Sequence, residues 1–237
     1  MSYRADLFAW LVLPYVSIAV FVVGHWWRYR HDQFGWTSRS TQLLESRLLA
    51  WGSTMFHYGA LAAIGGHVIG ILIPASALDA IGIGEHFYHR FAGIAGGIAG
   101  IVCVVGFGIL AFRRTTVRRV RVTSSSADVV VFLLLAIMIG TGLGETFGYT
   151  LFGPEFDYRA VVGVWFRHLF TDPRPALMAD APVLYQFHAA LAWLLYAVWP
   201  FSRLVHVWSY PLQYLGRPYI LYRSRYGKVA YGTRSRH

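Results

Sequence analysis

The amino-acid sequence predicts an all-α membrane protein, a bundle of five transmembrane helices, and three observations carry that prediction. Apolar residues make up 56% of the 237 and charged residues only 14%, a balance outside that of soluble domains. Five apolar runs, approximately residues 8–27, 48–73, 91–112, 129–147 and 184–207, are each long enough to cross about 30 Å of hydrocarbon as a helix of roughly 20 residues. The arginines and the single lysine gather between these runs rather than inside them.

An odd number of spans puts the termini on opposite sides, and the basic residues choose the sides. The loop after the first run, the loop at 113–126 and the tail hold 16 of the 21 arginines and lysines. The positive-inside rule then sets the N-terminus outside and the C-terminus, with a basic tail at 208–237, in the cytoplasm of a cell-membrane protein. The same topology accounts for the net charge of +10, so nucleic acid is not an expected partner. One cysteine, Cys103, permits neither an internal disulfide nor an iron–sulfur cluster, and no Cys-x-x-Cys-His occurs for covalent haem attachment.

The first run lacks a small-x-small cleavage pattern and is expected as a retained span, with Pro14 near its start and His25 as a solvated interfacial histidine. The loop that follows, Phe34-Gly35-Trp36-Thr37-Ser38-Arg39-Ser40, is polar without being repetitive and suits a protein partner. The second run carries His57 and His67. An imidazole in hydrocarbon is costly unless something uses it, so both are functional candidates. Ten residues place them about 80° apart and about 15 Å apart along a helix, where they could serve two stacked haems but not share one metal. Gly59, Gly65, Gly66 and Gly70 thin the same helix, for a macrocycle or for helix packing.

The next loop brings Asp79, Glu85, His86 and His89 beside Arg90, a polar cluster that either holds a quinone headgroup or is solvated. The third run repeats small residues at Gly93, Gly96, Gly97 and Gly100, a face for close approach. The loop at 113–126 has five arginines and no acid; Arg113 and Arg114, with Arg203 beyond the fifth run, are candidates to meet haem propionates. The fourth run has no histidine and is expected only to pack. Residues 148–182 read as one or two short surface helices, with His168 exposed. The fifth run carries His188 and His206, eighteen residues apart or about 27 Å on an ideal helix, with Pro200 between them to kink it.

The directions of the runs pair His57 with His206 in the cytoplasmic half and His67 with His188 in the outer half. The unequal axial offsets, about 15 and 27 Å, are left for tilt and the kink to absorb. Two bis-histidine b haems leave no open coordination position and imply electron transfer rather than oxygen activation. The alternatives at this level are a histidine-dependent ion or zinc transporter and histidines with no joint role.

The motifs narrow the choice. Trp27-Arg28-Tyr29-Arg30 with Trp36-Thr37-Ser38-Arg39-Ser40, Phe56-His57 with Gly66-His67, and Pro200-Phe201-Ser202-Arg203-Leu204-Val205-His206 followed by Trp208-Ser209 and Pro211 together resemble the gamma subunit of membrane-bound respiratory nitrate reductase. The stretch from Arg217-Pro218-Tyr219 to Arg225 resembles the actinobacterial branch of that family. The resemblance implies five spans and two haem b groups, the distal one between His67 and His188 and the proximal one between His57 and His206. It implies oxidation of a quinol, here menaquinol, near the outer face at Gly66, His67, His86, His89 and Arg90, where Arg90 stands in place of a family lysine. Electrons would pass inward to an iron–sulfur beta subunit and on to a molybdenum alpha subunit, both cytoplasmic and outside this chain. A di-haem cytochrome b anchor for another respiratory oxidoreductase shares the histidine pattern.

Overall fold

The computed structural model describes residues 3–37, 40–154 and 156–208. The basic tail from Ser209 onward, including Arg217-Pro218-Tyr219 and Arg225, and Arg39 in the first loop lie outside the described residues. The chain is helical, with no strands among its described residues.

Among the described residues four helices are long and apolar enough to cross a membrane: α1 (Arg4–His31), α2 (Arg47–Leu72), α3 (Glu85–Thr116) and α4 (Ser126–Leu151). A fifth, α5 (Val183–Val198), has 16 residues and does not continue to position 207. A 3-10 turn follows at Trp199–Phe201, then Ser202 in extended conformation, then a second 3-10 turn at Arg203–Val207. Proline explains the stop, because Pro200 has no N–H for the carbonyl one turn back. The expected kinked helix is thus a broken one, and the ideal 27 Å separation of His188 and His206 does not apply.

The helix ends follow from local chemistry. Ser125 and Asp128 form a reciprocal capping box at the start of α4, with bonds of 3.2 and 2.9 Å. The Glu45 carboxylate accepts from the Leu48 and Leu49 amides at 2.8 and 3.2 Å, opening α2. In α1, Pro14 cannot donate to the carbonyl of Trp10, and the indole N–H of Trp165 takes that carbonyl at 3.0 Å. The chain widens just before, in a π-helical segment at Phe8–Val12. Three more π segments, Val68–Leu72, Thr146–Leu151 and Arg159–Gly163, lie at the same end of the bundle, called here the upper end.

Packing runs α2 on α3, α3 on α4, α4 on α5, and α5 on α1. The tightest seam is α2 on α3, where a side chain at Gly59 would meet the Cys103 backbone and one at Gly106 would overlap that of Phe56. Gly65 and Gly66 serve no such contact, since a side-chain carbon at either would have nothing within 4 Å. At the upper end, residues 148–182 are not the surface helices expected: residues 148–151 continue α4, and the segment from 156 onward packs inward. Trp165, Leu169 and Met178 are almost fully enclosed and pack with Trp10, Tyr185 and Trp193 into the main apolar core. His168 is half-buried there. His25 also departs from the solvated expectation, lying against Phe21, Trp36 and Trp208.

At the lower end Arg113, buried, takes Glu45 Oε2 at 2.6 Å and donates to Thr41 Oγ1, Thr41 O and Glu45 O at 2.7–2.9 Å. Desolvation pushes the Glu45 carboxyl up, but the amides of Leu48 and Leu49 and the Arg113 guanidinium outweigh it and hold it below the ordinary carboxylate range. The group therefore contributes stability above its unfolded pKa of about 4.3, lost as pH falls through the lower folded value. Glu45→Gln should flatten the acid limb of thermal stability measured in detergent between about pH 5 and the onset of acid unfolding. An unchanged limb would show that Glu45 carries none of it.

Candidate haem-ligand site

The four histidines singled out in the sequence meet as two pairs. The rings of His57 on α2 and His206 in the second 3-10 turn have centroids 6.0 Å apart with planes at 77°. Those of His67 on α2 and His188 on α5 are also 6.0 Å apart, with planes at 15°. Two metal–imidazole bonds of about 2 Å, with a ring beyond each nitrogen, separate the centroids of trans imidazoles by roughly 6 Å. The separation in both pairs matches that spacing. Among the described residues no third histidine, cysteine or carboxylate joins either pair to make a three-ligand group. Two facing imidazoles per metal is one of the ligand sets that a planar macrocycle accepts.

Every ring is oriented through Nδ1. His57 Nδ1 lies 2.7 Å from Ser53 O, His67 Nδ1 2.7 Å from Ala63 O, and His206 Nδ1 2.6 Å from Arg203 O. His188 Nδ1 lies 2.8 Å from Thr141 Oγ1 on α4. The Thr141 hydroxyl proton goes to Ile137 O or Met138 O at 2.9–3.0 Å, so its oxygen accepts from His188 Nδ1–H. In each ring Nδ1 is then the protonated nitrogen, and Nε2 carries the lone pair a metal needs. His25, His31 and His168 make similar bonds to carbonyls one turn back. The bond alone does not mark a ligand; the facing partner ring does.

Span 4, expected only to pack, thus supplies a partner for His188. Gly142 beside Thr141 leaves room for the ring, since a side-chain carbon there would sit 3.2 Å from His188 Cε1. No sequence pattern marks Thr141, because its partner is 47 residues away.

The arginine candidates separate. Arg114 and Arg203 line a cavity of about 120 Å³ together with His206, Asp128 and Phe132. Arg114 Nη1 is buried there without a hydrogen-bond partner, and Arg203 Nε pairs with Asp128 Oδ1 at 2.7 Å. Arg113 points elsewhere, its donors taken by Glu45 and Thr41.

At the upper end Gly66 and His67 are exposed on α2, His86 and Arg90 are exposed in the first turns of α3, and His89 is half-buried. Among the described residues His86, His89 and Arg90 make no side-chain hydrogen bond or ion pair, and none draws them to His67. An apolar cavity of about 360 Å³ opens between the same helices, walled by Ile69 and Ile73 of α2, Phe87 and Phe91 of α3, and Leu78 and Ile83 of the loop. The polar organisation here centres on Arg159, which no sequence motif singles out. Arg159 is buried, binds Glu85 Oε2 at 2.7 Å and Ile73 O at 3.2 Å, and lies 4.2 Å over the Tyr88 ring. Arg167 takes Ile71 O at 2.7 Å, so two arginines cap the carbonyl end of α2. The one signal in the sequence is charge asymmetry: arginines on the side poor in them call for a reason.

An all-helical membrane protein with two facing histidine pairs, each fit to be axial ligands of a flat prosthetic group, has the build of a membrane electron-transfer subunit. The chain belongs to the nitrate reductase gamma subunit family, whose model matches residues 6–225. It is 46% identical over 217 residues to the nitrate reductase gamma chain of Bacillus subtilis, covering 91% of this chain and 97% of that one. It is 32% identical over 223 residues to the respiratory nitrate reductase 1 gamma chain of Escherichia coli, covering 93% and 98%. It also matches 33% of the length of the nitrate reductase-like protein NarX of Mycobacterium tuberculosis, at 49% identity over 218 residues, 91% of this chain. The chain is therefore a transmembrane component of an oxidoreductase of nitrate respiration.

Proposed function

We propose that this chain is the quinol-oxidising subunit of a quinol:nitrate oxidoreductase. His67 with His188 and His57 with His206 would each hold one haem b iron. α5 and the turns after it complete a fifth crossing, with the upper end outside. The observation that carries the reading is the 6.0 Å separation in both histidine pairs. Haem b held by two imidazoles would supply one-electron transfer and would leave no coordination position for oxygen.

The chain's own residues do the rest. Menaquinol would enter at the upper end, its tail suited to the apolar cavity between α2 and α3. Its headgroup would meet Gly66, His67, His86, His89 and Arg90. Oxidation of one quinol yields a quinone, two protons and two electrons, and acceptors at this end leave the protons outside. Thr141 holds His188 in the tautomer that ligates. Arg114 and Arg203 would meet the propionates on the lower side, their cavity adjoining His206. The iron–sulfur beta and molybdenum alpha subunits would dock at the lower, cytoplasmic face, where nitrate is reduced.

A reduced-minus-oxidised spectrum with haem quantification on the purified chain, followed by menaquinol, tests the reading. Two b haems per chain, reducible by menaquinol, are expected; a folded chain that binds none returns the histidines to transport or packing. Thr141→Val should weaken retention of the His188 haem by roughly 10–100-fold, the usual effect of removing the partner of a ligating histidine. Haem loss on dilution, followed in the Soret band, measures it. Retention equal to wild type would mean that Thr141 does not orient the ligand.

A further inference from the structure

The break after α5 leaves backbone carbonyls outside any helical ladder, and one buried side chain collects them. Arg28, near the lower end of α1, donates through Nη1 to Pro200 O at 2.6 Å and Ser202 O at 2.7 Å. Through Nη2 it donates to Gly35 O at 2.8 Å, and its Nε lies 3.6 Å from Asp32 Oδ2. One turn earlier on the same face of α1, Gly24 lets Pro200 approach so closely that a side-chain carbon would sit 2.9 Å from the proline ring. Gly24 and Arg28 together clasp the break.

From the clasp the path to the ligand is short. Ser202, whose carbonyl Arg28 holds, caps the second 3-10 turn: its Oγ accepts from the Leu204 amide at 3.1 Å and donates to Trp199 O at 2.8 Å. Val205 in that turn is fully enclosed, and Arg203 O accepts from His206 Nδ1 at 2.6 Å. We infer that Arg28 is the positioning residue for His206: its guanidinium fixes the broken backbone that aims the imidazole at His57, and ties the same backbone to the loop at Gly35. Only a guanidinium offers several donors in one rigid plane; an ammonium keeps the charge but is a compact point that cannot match that fork. The inference rests on the haem reading above for its spectroscopic test, and on hydrogen bonding alone for its second.

The test compares Arg28→Lys with Arg30→Gln, an exposed control on the same helix, in the full chain in membranes. Haem count and a redox titration of the b-type absorbance are read. Arg28→Lys should lose, or convert to high spin, one haem of the two, with the other titrating as in wild type; Arg30→Gln should change neither. Two unchanged haems in Arg28→Lys, or loss of both together, would overturn the positioning role. Amide hydrogen exchange supplies a measure that needs no haem: Arg28→Lys should speed exchange at Leu204 and Trp208 while leaving α2 and α3 unchanged. Wild-type exchange at those amides would overturn the inference. A wild-type chain without haem but with the exchange difference would overturn the ligand reading and leave the clasp standing.

Discussion

His188→Ala should leave one haem b per chain and stop menaquinol from reducing it. The ring of His188 faces His67 at 6.0 Å, and no other histidine, cysteine or carboxylate among the described residues joins that pair. A replacement ligand would have to come from water, which the apolar flanks Ala189, Ala190 and Leu191 do not favour. The loss should exceed the roughly 10–100-fold that follows from removing only a ligand's hydrogen-bond partner. Haem quantification with a menaquinol-driven spectrum checks it, and a variant that keeps two low-spin haems would show that His188 is not a ligand. His67→Ala should behave alike, with the added loss of the headgroup contact proposed for it.

His206→Ala separates the two ends. Menaquinol should still reduce the remaining haem, because His67 and His188 are untouched, but adding nitrate to membranes that hold the whole complex should no longer reoxidise it. The remaining pair lies about 15 Å of helix rise away from His57, toward the upper end. Electron transfer to the cytoplasmic partner should fall by orders of magnitude, read as the rate at which the reduced b-type absorbance decays after nitrate. Decay at the wild-type rate would mean that electrons leave by a route that avoids His57 and His206. His57→Ala should give the same result from the opposite side of the pair.

Hydropathy alone locates α2 to within about a residue, the apolar run at 48–73 becoming the helix Arg47–Leu72. It fails at the ends where polar side chains have partners. α3 begins at Glu85 rather than 91, because Glu85 binds Arg159 and Tyr88 lies beneath the same guanidinium. α4 begins at Ser126 because the Ser125 and Asp128 box defines its first turn. The histidines are legible because an imidazole in an apolar run stands out without any knowledge of its partner. Thr141, Arg28 and Arg159 are not, since their roles come from atoms 47, 172 and 74 residues away. Residues 148–182 read as surface because prolines and irregular aromatics hide a helical period. Their core around Trp165 and Met178 is built by tertiary contact with α1 and α5.

The four π-helical segments among the described residues all sit at the upper end, one of them directly after His67. A π turn has poorer hydrogen-bond geometry than an α turn and recurs at functional sites. The lower end is held by the capping box and by the arginine clasps of Arg28 and Arg113. On the proposed reading, quinol meets the helices where their hydrogen-bond ladders are already widened, so the spacing that receives it would be built into the backbone rather than opened by the ligand.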